Sequence, residues 1–144
     1  MSQAIIQDEV FGALRFDDRA RSYEATMQLA PGHSISVAID SMGLAPDEAI
    51  KKARQIYSTV VRRELEYRRA AALRLLSLYN DSWRGGEALD IDGFVRRLSA
   101  SSISIAPLES GATLYYSDGG LFAGHFIEVF LDADFAFINA QLAG

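Results

Sequence analysis

The chain has 144 residues, of which 49% are hydrophobic and 23% charged, and it contains no cysteine. That is the length of one ordinary domain, since domains cluster near roughly 100–150 residues, and the composition excludes a disordered polymer. Lack of cysteine excludes disulfides, thiolate metal ligation and thiol nucleophiles. The two histidines, His33 and His125, are too few for a three-histidine metal site.

The net charge of −5 is unevenly spread. Residues 1–46 carry −3, residues 47–98 carry +3, and residues 99–144 hold five acids and no Lys or Arg. Because this last third is also rich in Phe, Ile and Tyr, it reads as a folded acidic face. Such a face repels nucleic acid and anionic lipid and steers basic partners. Met1-Ser2-Gln3-Ala4 lacks the basic and apolar stretches of a secretion signal, and no segment approaches the ~18 apolar residues that cross a bilayer. A cytoplasmic protein without a membrane partner is the expectation.

Two strand-rich blocks flank a helical middle. Leu14 and Phe16 share a face; Tyr23, Ala25, Met27 and Leu29 alternate with Glu24, Thr26 and Gln28; Ile35, Val37 and Ile39 alternate with Ser34, Ser36 and Ala38. Period two between turn residues marks half-buried strands, here near 11–16, 22–29 and 34–40, with Pro31-Gly32 as the turn between the last two. Pro46-Asp47-Glu48 opens a helical region, proline fitting the first turn and acids matching the dipole. No Gly or Pro follows until after Trp83. An unbroken helix over 47–79 would be about 50 Å long, against a radius of gyration of roughly 15 Å for a compact chain of this size. A bend near Arg62–Tyr67, or two packed helices, is expected. Asp90-Ile91-Asp92 opens a short third helix with Phe94, Val95 and Leu98 inward.

The last block returns to period two. Ile103 and Ile105 alternate with serines, Thr113–Tyr116 pairs back, and 125–131 with 135–142 forms a final hairpin. Phe126–Leu131 is largely apolar on both faces, which predicts a strand that is central, or covered by helices on one face and by another layer on the other. The expectation is a single α+β domain: N-terminal strands over about 10–40, a helical middle over about 46–99, and C-terminal strands over about 102–143. The sheet is expected to have about seven strands, mostly antiparallel, in the chain order three strands, two or three helices, four strands, with the helices on one face.

Three groups of residues bear on chemistry. Asp118 and His125 bound a glycine-rich loop close to Tyr116, and a carboxylate beside a histidine makes a general base. The structural alternative is that Asp118 shapes a turn while His125 bonds a nearby carbonyl; no Gly-x-Ser-x-Gly nucleophile accompanies them. Asn80 and Trp83 end the long helical region, Asn80 as a cap and Trp83 as an interface plug or a ligand-stacking surface. Asp132-x-Asp134 lacks the Gly and terminal Glu of a calcium loop and reads as a solvated turn. No metal ligand set and no cofactor motif is present. Arg62-Arg63 and Arg68-Arg69 are interleaved with Glu64 and Glu66, and no phosphate loop or zinc-finger spacing accompanies them, so nucleic-acid binding is disfavoured.

Phe11-Gly12-x-Leu14, Leu78-x-Asn80-Asp81-x-Trp83, Phe94-x-x-x-Leu98, Ser102-Ile103-x-Ile105 and Tyr116-x-Asp118-Gly119-x-Leu121-Phe122-x-Gly124-His125 together resemble a family of uncharacterised bacterial proteins, a domain of unknown function. The resemblance runs from Phe11 to Gly144. Its most specific parts are the Asn-Asp-x-Trp helix end and the Asp-Gly-x-Leu-Phe-x-Gly-His segment, and it implies no activity.

The preferred functional expectation is a non-enzymatic module that binds another protein or itself, with neutralisation of a basic toxin as its most concrete form. That form predicts weaker binding on charge reversal at Glu128 or Asp132 and little effect of His125→Ala. The alternative is a small enzyme or ligand binder built on Asp118, His125, Tyr116 and Asn80.

Overall fold

The structure is a computed structural model, and it describes residues 5–144. Eight strands form one sheet: β1 (Ile5–Asp8), β2 (Gly12–Asp17), β3 (Ser22–Ala30), β4 (His33–Asp40), β5 (Ser99–Ala106), β6 (Gly111–Ser117), β7 (Phe126–Leu131) and β8 (Phe137–Ala143). Their order across the sheet is their order along the chain. Neighbours are antiparallel, joined by turns or by the 118–125 loop, everywhere except between β4 and β5, which run parallel. That gap is crossed by α1 (Pro46–Arg62), α2 (Glu64–Leu78), a π-helical turn (Tyr79–Trp83) and α3 (Ile91–Arg97). A crossover of this length carries the chain back to the opposite end of the sheet, which parallel pairing requires.

The architecture is therefore α+β, with two corrections to the sequence-based picture. The sheet is mixed, because of the helical crossover, rather than mostly antiparallel. It also has eight strands, four on each side of the helices, rather than seven divided three and four. The extra strand, β1, spells Ile-Ile-Gln-Asp and is too short to show alternation.

The helical stretch breaks where its length required. Arg63 leaves helical geometry at φ −103°, ψ 10°. Its N–H is shared between the Thr59 and Val60 carbonyls at 3.2 Å each. The two resulting helices are about 26 and 22 Å long at 1.5 Å per residue. They bury Ile50, Ala53, Ile56 and Val60 from α1 and Tyr67, Ala71 and Leu75 from α2. These meet the inward row of the sheet: Leu14, Val37, Ile39, Ile103, Ile105, Leu114, Tyr116, Ile127 and Val129, all in one continuous core. Asp90 caps α3 by accepting the Gly93 N–H at 2.7 Å, the role its position before the first turn suits.

Among the described residues no helix lies over the opposite face of the sheet. Glu24, Thr26, Ser36 and Ser104 are exposed there. This corrects the expectation for Phe126–Leu131. β7 is the penultimate strand, buried on one side through Ile127, Val129 and Leu131, while Phe126 is 48% exposed on the other.

Candidate functional site

The loop after β6 folds around Asp118. Its carboxylate, 3% exposed, accepts the Gly120 N–H on Oδ1 at 2.9 Å and those of Phe122 and Gly124 on Oδ2 at 2.8 and 3.0 Å. A carboxylate held by backbone N–H groups in this way organises a turn. Gly119 takes φ +60°, and a Cβ there would stand 2.2 Å from the Arg97 carbonyl oxygen. The Arg97 guanidinium closes the contact by donating to the Gly119 carbonyl at 2.9 Å.

His125, at the far end of the loop, has its Nδ1 at 2.5 Å from the Phe122 carbonyl. A carbonyl only accepts, so Nδ1 carries the proton. Asp118 and His125 thus shape the same loop, but each is bonded to backbone, and no hydrogen bond joins them among the described residues. Trp83 leans edge-on against Phe122 (centroids 5.6 Å) and His125 (5.8 Å), with Tyr79 and Phe94 packed behind Phe122. The helix end and the glycine-rich loop, some forty positions apart in sequence, therefore form one aromatic cluster. Trp83 remains 38% exposed on it. The π-helical turn that places Trp83 closes through Arg84 N–H to Tyr79 O at 2.8 Å. Asn80 faces away, its amide donating to the Leu89 carbonyl and accepting the Leu89 N–H, both at 3.0 Å.

Tyr116 belongs to a different cluster. Its hydroxyl donates to Glu64 Oε2 at 2.9 Å, and Arg68 grips the same carboxylate through Nε at 3.0 Å and a terminal nitrogen. Burial, reinforced by the neighbouring Glu64 charge, pushes the Tyr116 phenol far above its ordinary range and keeps it a donor. Glu64 was hidden in the sequence by its helical, charged surroundings. The Glu64–Arg68 spacing of four was the one available sign.

The sequence also gave no warning of a concavity on the open face of the sheet. A groove of about 510 Å³ crosses the open face of the sheet, lined by Arg15, Glu24, Thr26, Ser36, Ser102, Ser104 and Tyr115 among others. The strand register sets Thr26, Ser36, Ser102, Tyr115, Glu128 and Gln141 in a single cross-strand row. Gln141 donates to Glu128 at 2.9 Å at the end of that row. Alternating serines on one side of two strands were visible in the sequence; that those strands are neighbours was not. In the turn between β7 and β8, Asp132 Oδ1 accepts the Asp134 and Ala136 N–H groups at 2.8 and 3.0 Å, so this carboxylate shapes the hairpin turn.

These features define an α+β protein whose eight-stranded sheet is helix-covered on one face and hydroxyl-paved on the other. The chain belongs to the family described as an uncharacterised protein conserved in bacteria (DUF2262), whose model matches residues 8–142. Comparison with curated proteins and with solved structures returned no match. No helix among the described residues is long and apolar enough to cross a membrane.

Proposed function

We propose that this protein is a non-enzymatic binding module that engages another protein through the open face of its sheet. One observation carries the reading: a whole face of an eight-stranded sheet is free of helices and grooved across five hydroxyl-bearing residues, Thr26, Ser36, Ser102, Ser104 and Tyr115. A broad, shallow, polar surface suits a macromolecular partner, whereas small substrates are held in enclosed, mostly apolar pockets. The bonding of the candidate catalytic groups supports the same view. Asp118 is occupied by loop amides and Asn80 by Leu89, which leaves neither free to orient a base.

The partner's complementary surface is basic where it meets Glu24 and Glu128, and it offers an acceptor to Arg15, the cross-strand neighbour of Glu24. Glu128→Lys is the cleaner electrostatic probe, because reversal at Asp132 would also undo the hairpin turn.

The test compares wild type, the double variant Ser36→Arg/Ser104→Arg, and His125→Ala as baits in bacterial lysate. Both serines are exposed, so the double variant keeps its fold, which its melting temperature checks. A protein retained by wild type and His125→Ala but lost with the double variant supports the reading. Retention by the double variant, or loss only with His125→Ala, defeats it.

The rival reading, a ligand binder at the Asp118–His125 loop, rests on the adjacent, partly exposed Trp83 and His125 rings. With Nδ1–H held by Phe122, Nε2 is the basic nitrogen of the neutral ring. A small molecule that raises the melting temperature of wild type but not of Trp83→Ala would favour it.

A further inference from the structure

The two edges of the sheet are built differently. β1 is four residues long and ends in Asp8, whose carboxylate is tied to Arg54 and to the N–H groups of Val10 and Phe11. β8 has seven residues and no charged residue or proline. In that respect it matches the interior strands β5 and β6, which are also uncharged and are paired on both sides. Exposed edges are normally guarded by Lys, Pro, bulges or brevity. β8 has one such device, a bulge where Ile138 is squeezed between the Phe137–Leu131 and Asn139–Phe130 pairs. Beyond it Asn139–Ala143 pairs regularly with β7, and among the described residues no main-chain hydrogen bond of this segment reaches any other element.

We propose that the β8 edge pairs with β8 of a second copy, antiparallel about a two-fold axis at Gln141. The segment is self-complementary in this register. Ala140 and Leu142 lie on the helix side, opposite buried Val129 and Ile127, and each meets the other's counterpart across the axis. On the open side Gln141 faces Gln141, an amide pair with donors and acceptors on both partners. Asn139 faces Ala143. No like charges are brought opposite each other, the arrangement that destabilises cross-strand pairs. The nearest acids in the row are the two Glu128 side chains. They stand three strand spacings apart, about 14 Å, beyond the Debye length of ~8 Å at physiological salt.

The dimer joins the two sheets, and the row from Thr26 to Gln141 continues through the axis into its counterpart. Five paired residues make a small interface beside the standard ~1,600 Å², so the association is weak and depends on concentration.

Sedimentation velocity across a concentration series up to the millimolar range, paired with hydrogen exchange, tests this. Wild type is expected to shift from monomer to dimer, with amides in 139–143 gaining protection at high concentration only. Gln141→Lys should weaken the dimer roughly fivefold or more by setting two like charges opposite each other at the axis, and Ala143→Lys, on the open side, should weaken it less, by placing a charge opposite Asn139. Circular dichroism checks that both variants remain folded. A wild type that stays monomeric throughout, or protection that appears elsewhere while 139–143 stays open, overturns the proposal. Partner capture by the groove does not depend on this edge, so the two readings fail separately.

Discussion

Asp118 organises the loop in which it sits. A carboxylate and a histidine seven positions apart around three glycines invite an acid–base reading, yet loop amides satisfy the acid and a carbonyl fixes the ring. The glycines are equally specific in their demands. Gly119 and Gly120 both have positive φ, but only at Gly119 does a Cβ meet backbone, the Arg97 carbonyl. Gly120→Ala is therefore expected to cost about 1 kcal/mol from backbone strain. Gly119→Ala should cost roughly 2–4 kcal/mol, because the Arg97 segment must also move. Urea unfolding at matched m-values measures the difference; equal costs would mean that the Arg97 contact is unimportant. The clash could not be read from the sequence, since Arg97 lies twenty-two positions away.

Among the elements, β1 is held to α1 by one ion pair. Asp8, whose side chain is 2% exposed, meets Arg54 at 2.6 Å. Burial alone would raise the Asp8 carboxyl, but the Arg54 hydrogen bond and the N–H groups of Phe11 and Val10 outweigh it and hold it below the ordinary carboxylate range. The sign follows from linkage: the folded state binds this proton more weakly than the unfolded state, whose value is about 3.9. The stabilisation is complete above that value and is lost as pH falls through the folded one. Asp8→Asn should accordingly be less stable than wild type at neutral pH, and the gap should narrow in acid. Thermal melts of both proteins across pH 2–7 check this; a gap independent of pH would assign the loss to packing instead. The division of the long helix at Arg63 was legible, because chain length and compactness conflict. β1 was not, since four residues carry no usable period and its partner Arg54 sits on a distant helix.

For the whole molecule, one core joins three helices to one face of the sheet, with Tyr57, Tyr67 and Tyr116 inside it and Tyr115 partly buried on the open face. Burial raises the phenols of Tyr57, Tyr67, Tyr115 and Tyr116, with Glu64 adding to the effect at Tyr116 and Glu128 at Tyr115. Unfolded tyrosines ionise near about 10. Above that pH the unfolded chain releases protons that the folded one retains, so stability falls as pH rises. Absorbance titration should show tyrosinate appearing late and together with loss of circular dichroism. A smooth titration centred near 10 in the folded protein would contradict the burial of these groups.

Local pattern alone determined where the three α-helices and every strand but β1 lie, and that the central helix must break, because periodicity is written in neighbouring residues. Tertiary structure decided the rest. Which strands become neighbours depends on the crossover, and that choice made β4 and β5 parallel, moved β7 next to the edge, aligned serines from separate blocks into one groove and left β8 without a second neighbour. Those outcomes arise from long-range pairing energies, which no window of sequence contains.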